Sequence, residues 1–276
     1  MRAAAPRQPL ANDAFVYQPP AAGQPHVVLL PGLIAGEWMW RPTMDALAER
    51  GYGYLAFVEP FAGQHGSAAP LTRFVMNSMD RCDISSAIVA GGSYGSRIAL
   101  DCTLAHPDRV DMLVLCGAPG AITTAQLGVT FQGKVTRPIA MTLLGKILHD
   151  PACIGEPDIS ATIQLFKEHR RMISMIRLMK ECTDYDYAAV LDRIEAFVLM
   201  IWGAHDRISP CPLWERQLAP HARHGAFFRI ERCGHVPMIE RPAVFNALLL
   251  DYLSTHRPRD RRSDPPHRRF ADRASR

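Results

Sequence analysis

No stretch of 18 consecutive apolar residues occurs in the 276-residue chain, which excludes an ordinary transmembrane helix. The first residues, Met1 to Pro9, contain arginines, alanines and prolines but no apolar core, and this argues against a secretory leader. The seven cysteines are odd in number and contain no Cys-x-x-Cys pair, so neither a zinc site nor a complete disulfide frame is read from them. Cys102 and Cys116 lie inside apolar runs and read as small buried thiols. A reducing, cytoplasmic location is therefore expected. No metal and no cofactor are implied, and no internal repeat is present.

A strong charge of one sign is also lacking once the end of the chain is set aside. The formal charge is +4, but residues 257–276 hold eight arginines against three aspartates, which leaves the remainder at −1. A near-neutral body offers nucleic acid no electrostatic footprint. The expected partner is a small-molecule substrate, with no nucleic acid and no membrane contact, and the protein itself a monomer or homodimer. The Pro/Arg/Asp-rich tail is expected to be disordered. The overall 48% hydrophobic and 21% charged residues describe an ordinary globular chain, long enough for a large core.

What is present is an alternation. His26-Val27-Val28-Leu29-Leu30 is a continuous apolar run, as a strand covered on both faces requires. Helical spacing follows from Trp38 to Arg50, then a strand at Tyr54 to Val58, then a short helix at Leu71 to Arg81. Further strands are read at Ala87–Ala90, Met112–Cys116, Phe197–Trp202 and Ala226–Ile230, with a closing apolar helix over Ala243–Leu253. Strand alternating with helix predicts an α/β fold with a mostly parallel, doubly wound sheet. The rhythm breaks from about Pro119 to Ala196, where the spacing is helical and methionine-rich, and an inserted helical lid is expected there. The expected division is a disordered N-terminus (1–13), a core in two pieces (14–118 and 197–256), the lid (119–196) and the basic tail (257–276).

The organising stretch is Gly91-Gly92-Ser93-Tyr94-Gly95. A G-x-S-x-G pattern arises by chance in roughly one chain in ten of this length, but here it joins a strand to a helix. That context makes a nucleophile elbow: small residues two positions either side let the helix cross close to the strand and push the serine hydroxyl into the open. The amide of Tyr94 then opens a helix, where partial positive charge can meet an oxyanion. Serine alone is a poor nucleophile and needs a base oriented by an acid. Such groups gather outside the carboxyl ends of parallel strands. Ser93, Asp206 and His235 each follow a predicted strand directly, in the chain order Ser, Asp, His. Most other histidines lie on helices, at the tail or at the wrong end of a strand; His65 and His205 stay near the crevice as supporting candidates.

Leu29-Leu30-Pro31-Gly32-Leu33, the serine motif, Trp202-Gly203-Ala204-His205-Asp206 and Cys233-Gly234-His235 together resemble the α/β-hydrolase fold superfamily, over about residues 26 to 255. The resemblance implies Ser93 as nucleophile, His235 as general base and acid, and Asp206 as the group that fixes the imidazole tautomer. It implies the amides of Leu33 and Tyr94 as the oxyanion hole, each donor worth roughly 3–4 kcal/mol. Two departures stand out. Pro31-Gly32 replaces the usual His-Gly, and the loop from Glu59 to Ser67 carries a shifted glycine pattern. A serine nucleophile excludes the branches that use aspartate there, and the absence of a His-Gly-Gly-Pro-Gly loop speaks against a prolyl aminopeptidase. The expected activity is a serine esterase acting on a carboxylic ester or related acyl bond of a mostly apolar small molecule. Trp38, Trp40, Met141 and Met175 are expected to line the substrate pocket. The rival expectations are a C–C bond hydrolase, a lactone-handling enzyme or a lyase on the same fold, or a ligand receptor without catalysis.

Overall fold

The computed structural model describes residues 10–11, 14–61, 66–119 and 136–256. Of the expected disordered N-terminus (1–13), Leu10–Ala11 instead pair as a short strand, and the other residues lie outside the described ones, as do the expected disordered tail (257–276) and the candidate His65. Eight strands form one sheet: β1 (Leu10–Ala11), β2 (Phe15–Gln18), β3 (His26–Leu30), β4 (Gly53–Phe57), β5 (Ala87–Gly92), β6 (Val110–Cys116), β7 (Phe197–Gly203) and β8 (Gly225–Ile230). Their order is β1-β2-β4-β3-β5-β6-β7-β8; the β1–β2 and β2–β4 pairs are antiparallel and the other pairs parallel. The mostly parallel, doubly wound α/β architecture expected from the alternation is thus present.

Period-two alternation divides the sheet between two cores. Val28, Leu30, Val89, Leu113 and Trp202 face one side, together with α2 (Ala68–Arg81) and α3 (Tyr94–Ala105). Val27, Leu29, Ile88, Val114 and Ile201 face the other, together with α1 (Arg41–Glu49) and α10 (Pro242–Thr255). Every residue of β5 is buried, because helices cover both of its faces and leave no room for a polar side.

The chain leaves β3 for β4 on one side and returns to β5 on the other. A topological switch point of this kind opens a crevice at the carboxyl ends of the strands. Here it brings the turn after β3 beside the turn after β5.

The described residues between β6 and β7 include four α-helices: α4 (Arg137–Ile147), α5 (Glu156–Lys167), α6 (His169–Thr183) and α7 (Tyr187–Leu191). α5 and α6 are divided at Glu168, whose backbone is extended (φ −87°, ψ 104°). Residues 120–135 of the expected lid lie outside the described residues. After β7 come α8 (Cys211–Leu213), which runs into a π-turn over Trp214–Leu218, and α9 (Pro237–Glu240). No helix among the described residues is long and apolar enough to cross a membrane.

Candidate active site

Ser93 stands at the junction of β5 and α3 with φ 54° and ψ −124°. A non-glycine residue with positive φ is strained, and such strain persists only where the surroundings enforce it. Here they do. The Ser93 amide donates to Cys116 O (2.8 Å), and Ser96 N donates back to Ser93 O (2.9 Å). The helix crosses so close to β3 that a Cβ on Gly95 would lie 2.3 Å from Leu30 O. Only glycine fits there, which is the physical content of the motif.

The three side chains singled out by position meet. His235 is 4% exposed, and its Nε2 lies 2.9 Å from Ser93 Oγ. Its Nδ1 lies 2.9 Å from Asp206 Oδ2 and 3.1 Å from Oδ1. The tautomer that satisfies both contacts donates from Nδ1 to the carboxylate and accepts the Ser93 hydroxyl proton at Nε2. Asp206 is itself fixed: its Oδ1 accepts from Ile208 N (2.8 Å) and Ser209 N (2.7 Å). A proton moving from Ser93 to His235 would create an imidazolium against a buried, hydrogen-bonded carboxylate, the arrangement that favours it.

Gly117 completes the fit. Its φ is +54°, and a Cβ there would lie 3.0 Å from His235 Nδ1 and 2.4 Å from its carbonyl oxygen. Sequence reading passed over this residue, although a glycine directly after a buried strand is a signal that could have found it.

Leu33 and Tyr94 line the same cavity as Ser93 and His235. Tyr94 is the first residue of α3, so its N–H has no acceptor within the helix. A Cβ on Gly32 would sit 3.4 Å from that of Ser93, which places the turn bearing Leu33 directly beside the nucleophile.

The cavity extends over ≈ 180 Å³ between the rim of the sheet and α4–α6. Its walls are mostly apolar, with Leu143 and Ile147 from α4, Phe166 from α5 and Met179 from α6. Of the four expected pocket residues, Trp38 and Met175 line it and the other two do not. Trp40 is fully buried, donates from Nε1 to Leu30 O (3.2 Å) and packs on Phe245. It closes a 3₁₀ turn over Glu37–Trp40, and at three residues per turn two positions cannot share a face with Trp38. Met141 lies about 200° around its helix from Leu143 and packs into the core below instead. His205 packs at a tilt of 45° against His149 (centroids 4.5 Å apart) and does not line the cavity.

The cavity contains a second nucleophile type, the thiol of Cys182. Burial, the largest influence, pushes that thiol up to about 11, so it is un-ionised at neutral pH. No cluster of three or more His, Cys, Asp or Glu suited to a metal occurs among the described residues.

Known proteins resemble this chain in sequence and fold. A 2-hydroxy-6-oxononadienedioate/2-hydroxy-6-oxononatrienedioate hydrolase of Paraburkholderia phymatum is 28% identical over 264 residues, 86% of this chain and 90% of its own. The solved structure of a 2-hydroxy-6-oxo-6-phenylhexa-2,4-dienoate hydrolase from Rhodococcus sp. superposes with a TM-score of 0.72 at 22% identity, over 87% of this chain and 94% of that one. An esterase from Exiguobacterium antarcticum gives the same TM-score at 18% identity, over 88% and 98%. At such identities the two structures share a fold with this chain, and a fold serves several chemistries. The sequence model of the alpha/beta hydrolase family matches residues 27–248, most of the chain. With the sheet, the switch point and the Ser93 turn in place, the chain belongs to the alpha/beta hydrolase family.

Proposed function

We propose that this hydrolase attacks a ketone carbonyl with Ser93 and breaks the adjoining C–C bond of a small keto acid with an apolar tail. The observation that carries the chemistry is the hydrogen-bonded line from Ser93 Oγ through His235 to Asp206, opening into an apolar cavity. The choice of bond is supported by the curated relatives. A compound named as a 2-hydroxy-6-oxo-dienoate has a ketone and no ester, so its hydrolysis divides a C–C bond.

The steps balance as follows. Ser93 Oγ adds to the ketone carbon while its proton passes to His235 Nε2. The oxyanion rests on the amides of Leu33 and Tyr94. With the substrate in its 2-oxo tautomer, formed by transfer of the 2-hydroxyl proton to the carbon next to the ketone, collapse expels that carbon; its electron pair passes through the conjugated double bond to the 2-oxo oxygen, and His235 returns its proton to the resulting dienolate. Water, deprotonated by His235, then attacks the acyl-serine, releasing a carboxylic acid and restoring Ser93.

Ester hydrolysis is the second reading, favoured by one observation. Lys146 is the single Lys or Arg among the described residues that line the cavity, so an uncharged ester is accommodated without burying an unmatched carboxylate. The same triad serves it. The deciding assay compares 2-hydroxy-6-oxo-6-phenylhexa-2,4-dienoate with p-nitrophenyl butyrate, each with wild type and Ser93→Ala. The proposal expects kcat/KM for the keto acid to exceed that for the ester by about tenfold or more. The opposite ratio establishes the esterase reading, and Ser93-independent turnover of both overturns the mechanism.

A further inference from the structure

The loop bearing His235 is bonded on its outer side to the helical block that walls the cavity. The His235 amide donates to Ile147 O (2.8 Å), at the end of α4. Beside it, Glu240, the last residue of α9, is 5% exposed and spans two distant segments. Its Oε1 accepts from Gly234 N (2.8 Å), next to the histidine. Its Oε2 accepts from His149 N (2.7 Å) and, at 3.4 Å, from Asp150 N, just after α4.

We propose that Glu240 is a positioning residue, a clasp that aligns His235 with Ser93 only when the cavity wall at 147–150 is docked. The proposal rests on the reading of His235 as the base. A buried carboxylate is a costly way to fill space, and an apolar side chain of similar size would pack there at less cost. What an apolar side chain cannot do is hold three main-chain N–H groups from two segments in one geometry. Burial pushes the Glu240 carboxyl above the usual range, and the backbone N–H groups it accepts from pull the other way. The ionised form is the one that can accept from both segments at once. The consequence is kinetic: a displacement of about 1 Å in a catalytic group can cost about a hundredfold in rate.

Two variants test the clasp from opposite ends. Glu240→Gln preserves size but turns an NH₂ group against either Gly234 N or His149 N, so one side must open. His149→Pro deletes the N–H at the wall and leaves Glu240 in place. Leu148 before it is extended (φ −100°, ψ 144°), a backbone that a following proline tolerates. For each variant, active sites are titrated with a fluorophosphonate, and kcat and KM are measured per titrated site. The expected result is a fall in kcat per site of about 10- to 100-fold, with KM changing by less than about threefold. A purely structural role would lower the titratable fraction and the melting temperature but leave kcat per site unchanged. A kcat per site within about twofold of wild type in either variant overturns the proposal. If Glu240→Gln does not fold, His149→Pro decides alone. Wild-type protein that takes no fluorophosphonate on Ser93 would refute the parent mechanism, an outcome separate from either result for the clasp.

Discussion

The rim of the sheet and the helices above it form one cavity by different means. At the rim, position is set by main-chain hydrogen bonds and close backbone contacts: Ser93 is pinned through Cys116 O, Asp206 through two amides, and α3 against β3 through Gly95. The wall is held by side-chain packing, with Phe166, Met175 and Ala140 as a small core of its own. An exposed ion pair on it, Arg137 with Glu156, contributes little. Ile139, Ile173 and Ile176 remain partly open to solvent on its outer surface. The lesson is a division of labour. Changes at the rim should alter rate, and changes in the wall should alter which molecule is accepted.

The largest test of that contrast is Ser93→Ala, expected to lower kcat by about 10⁴-fold or more while the melting temperature is preserved. A residual rate near wild type would mean that the rim does not carry the chemistry. Next come the two tryptophans. Trp40→Ala should cost about 3–5 kcal/mol of stability, read from denaturant unfolding, because it empties a buried site between α1 and α10. Trp38→Ala, at the cavity, should cost less than about 1 kcal/mol and appear in KM instead. Equal losses from the two would erase the distinction. Within the wall, Met175→Ala should change kcat/KM by about 10-fold in favour of substrates with a bulkier tail, with kcat on small substrates nearly unchanged. The smallest effect concerns Cys182. With its thiol held near 11, about a thousandth is ionised at pH 8, so iodoacetamide should alkylate it slowly, and faster as pH rises towards 11. Rapid alkylation at pH 7 would show a wall looser than its packing implies.

The rim was legible in the sequence because its signals are local. Apolar runs of five to seven residues mark buried strands, and each of Ser93, Asp206 and His235 follows one within a few positions. A residue just past a strand's carboxyl end has little freedom over where it lies. The wall was not legible in the same way. Helical spacing gives a helix, but which residues face the cavity depends on how four helices settle on the sheet. Trp38 and Met175 line the cavity and Trp40 and Met141 do not, since nearby positions in a turn point to opposite environments. Glu240 escaped notice for a related reason: the three backbone N–H groups that define it come from residues 149, 150 and 234. No local pattern records such a meeting.

The helical block leaves the sheet after β6 and rejoins it at β7, and those strands are neighbours in the order. It can therefore be exchanged as a cassette without rerouting any strand. A chimaera carrying a relative's block would inherit that relative's choice of substrate while keeping its own catalytic turn. One requirement travels with the graft: the joint after α4 must present a carbonyl to the His235 amide and amides to Glu240, or the transplanted wall will leave His235 unsupported on that side.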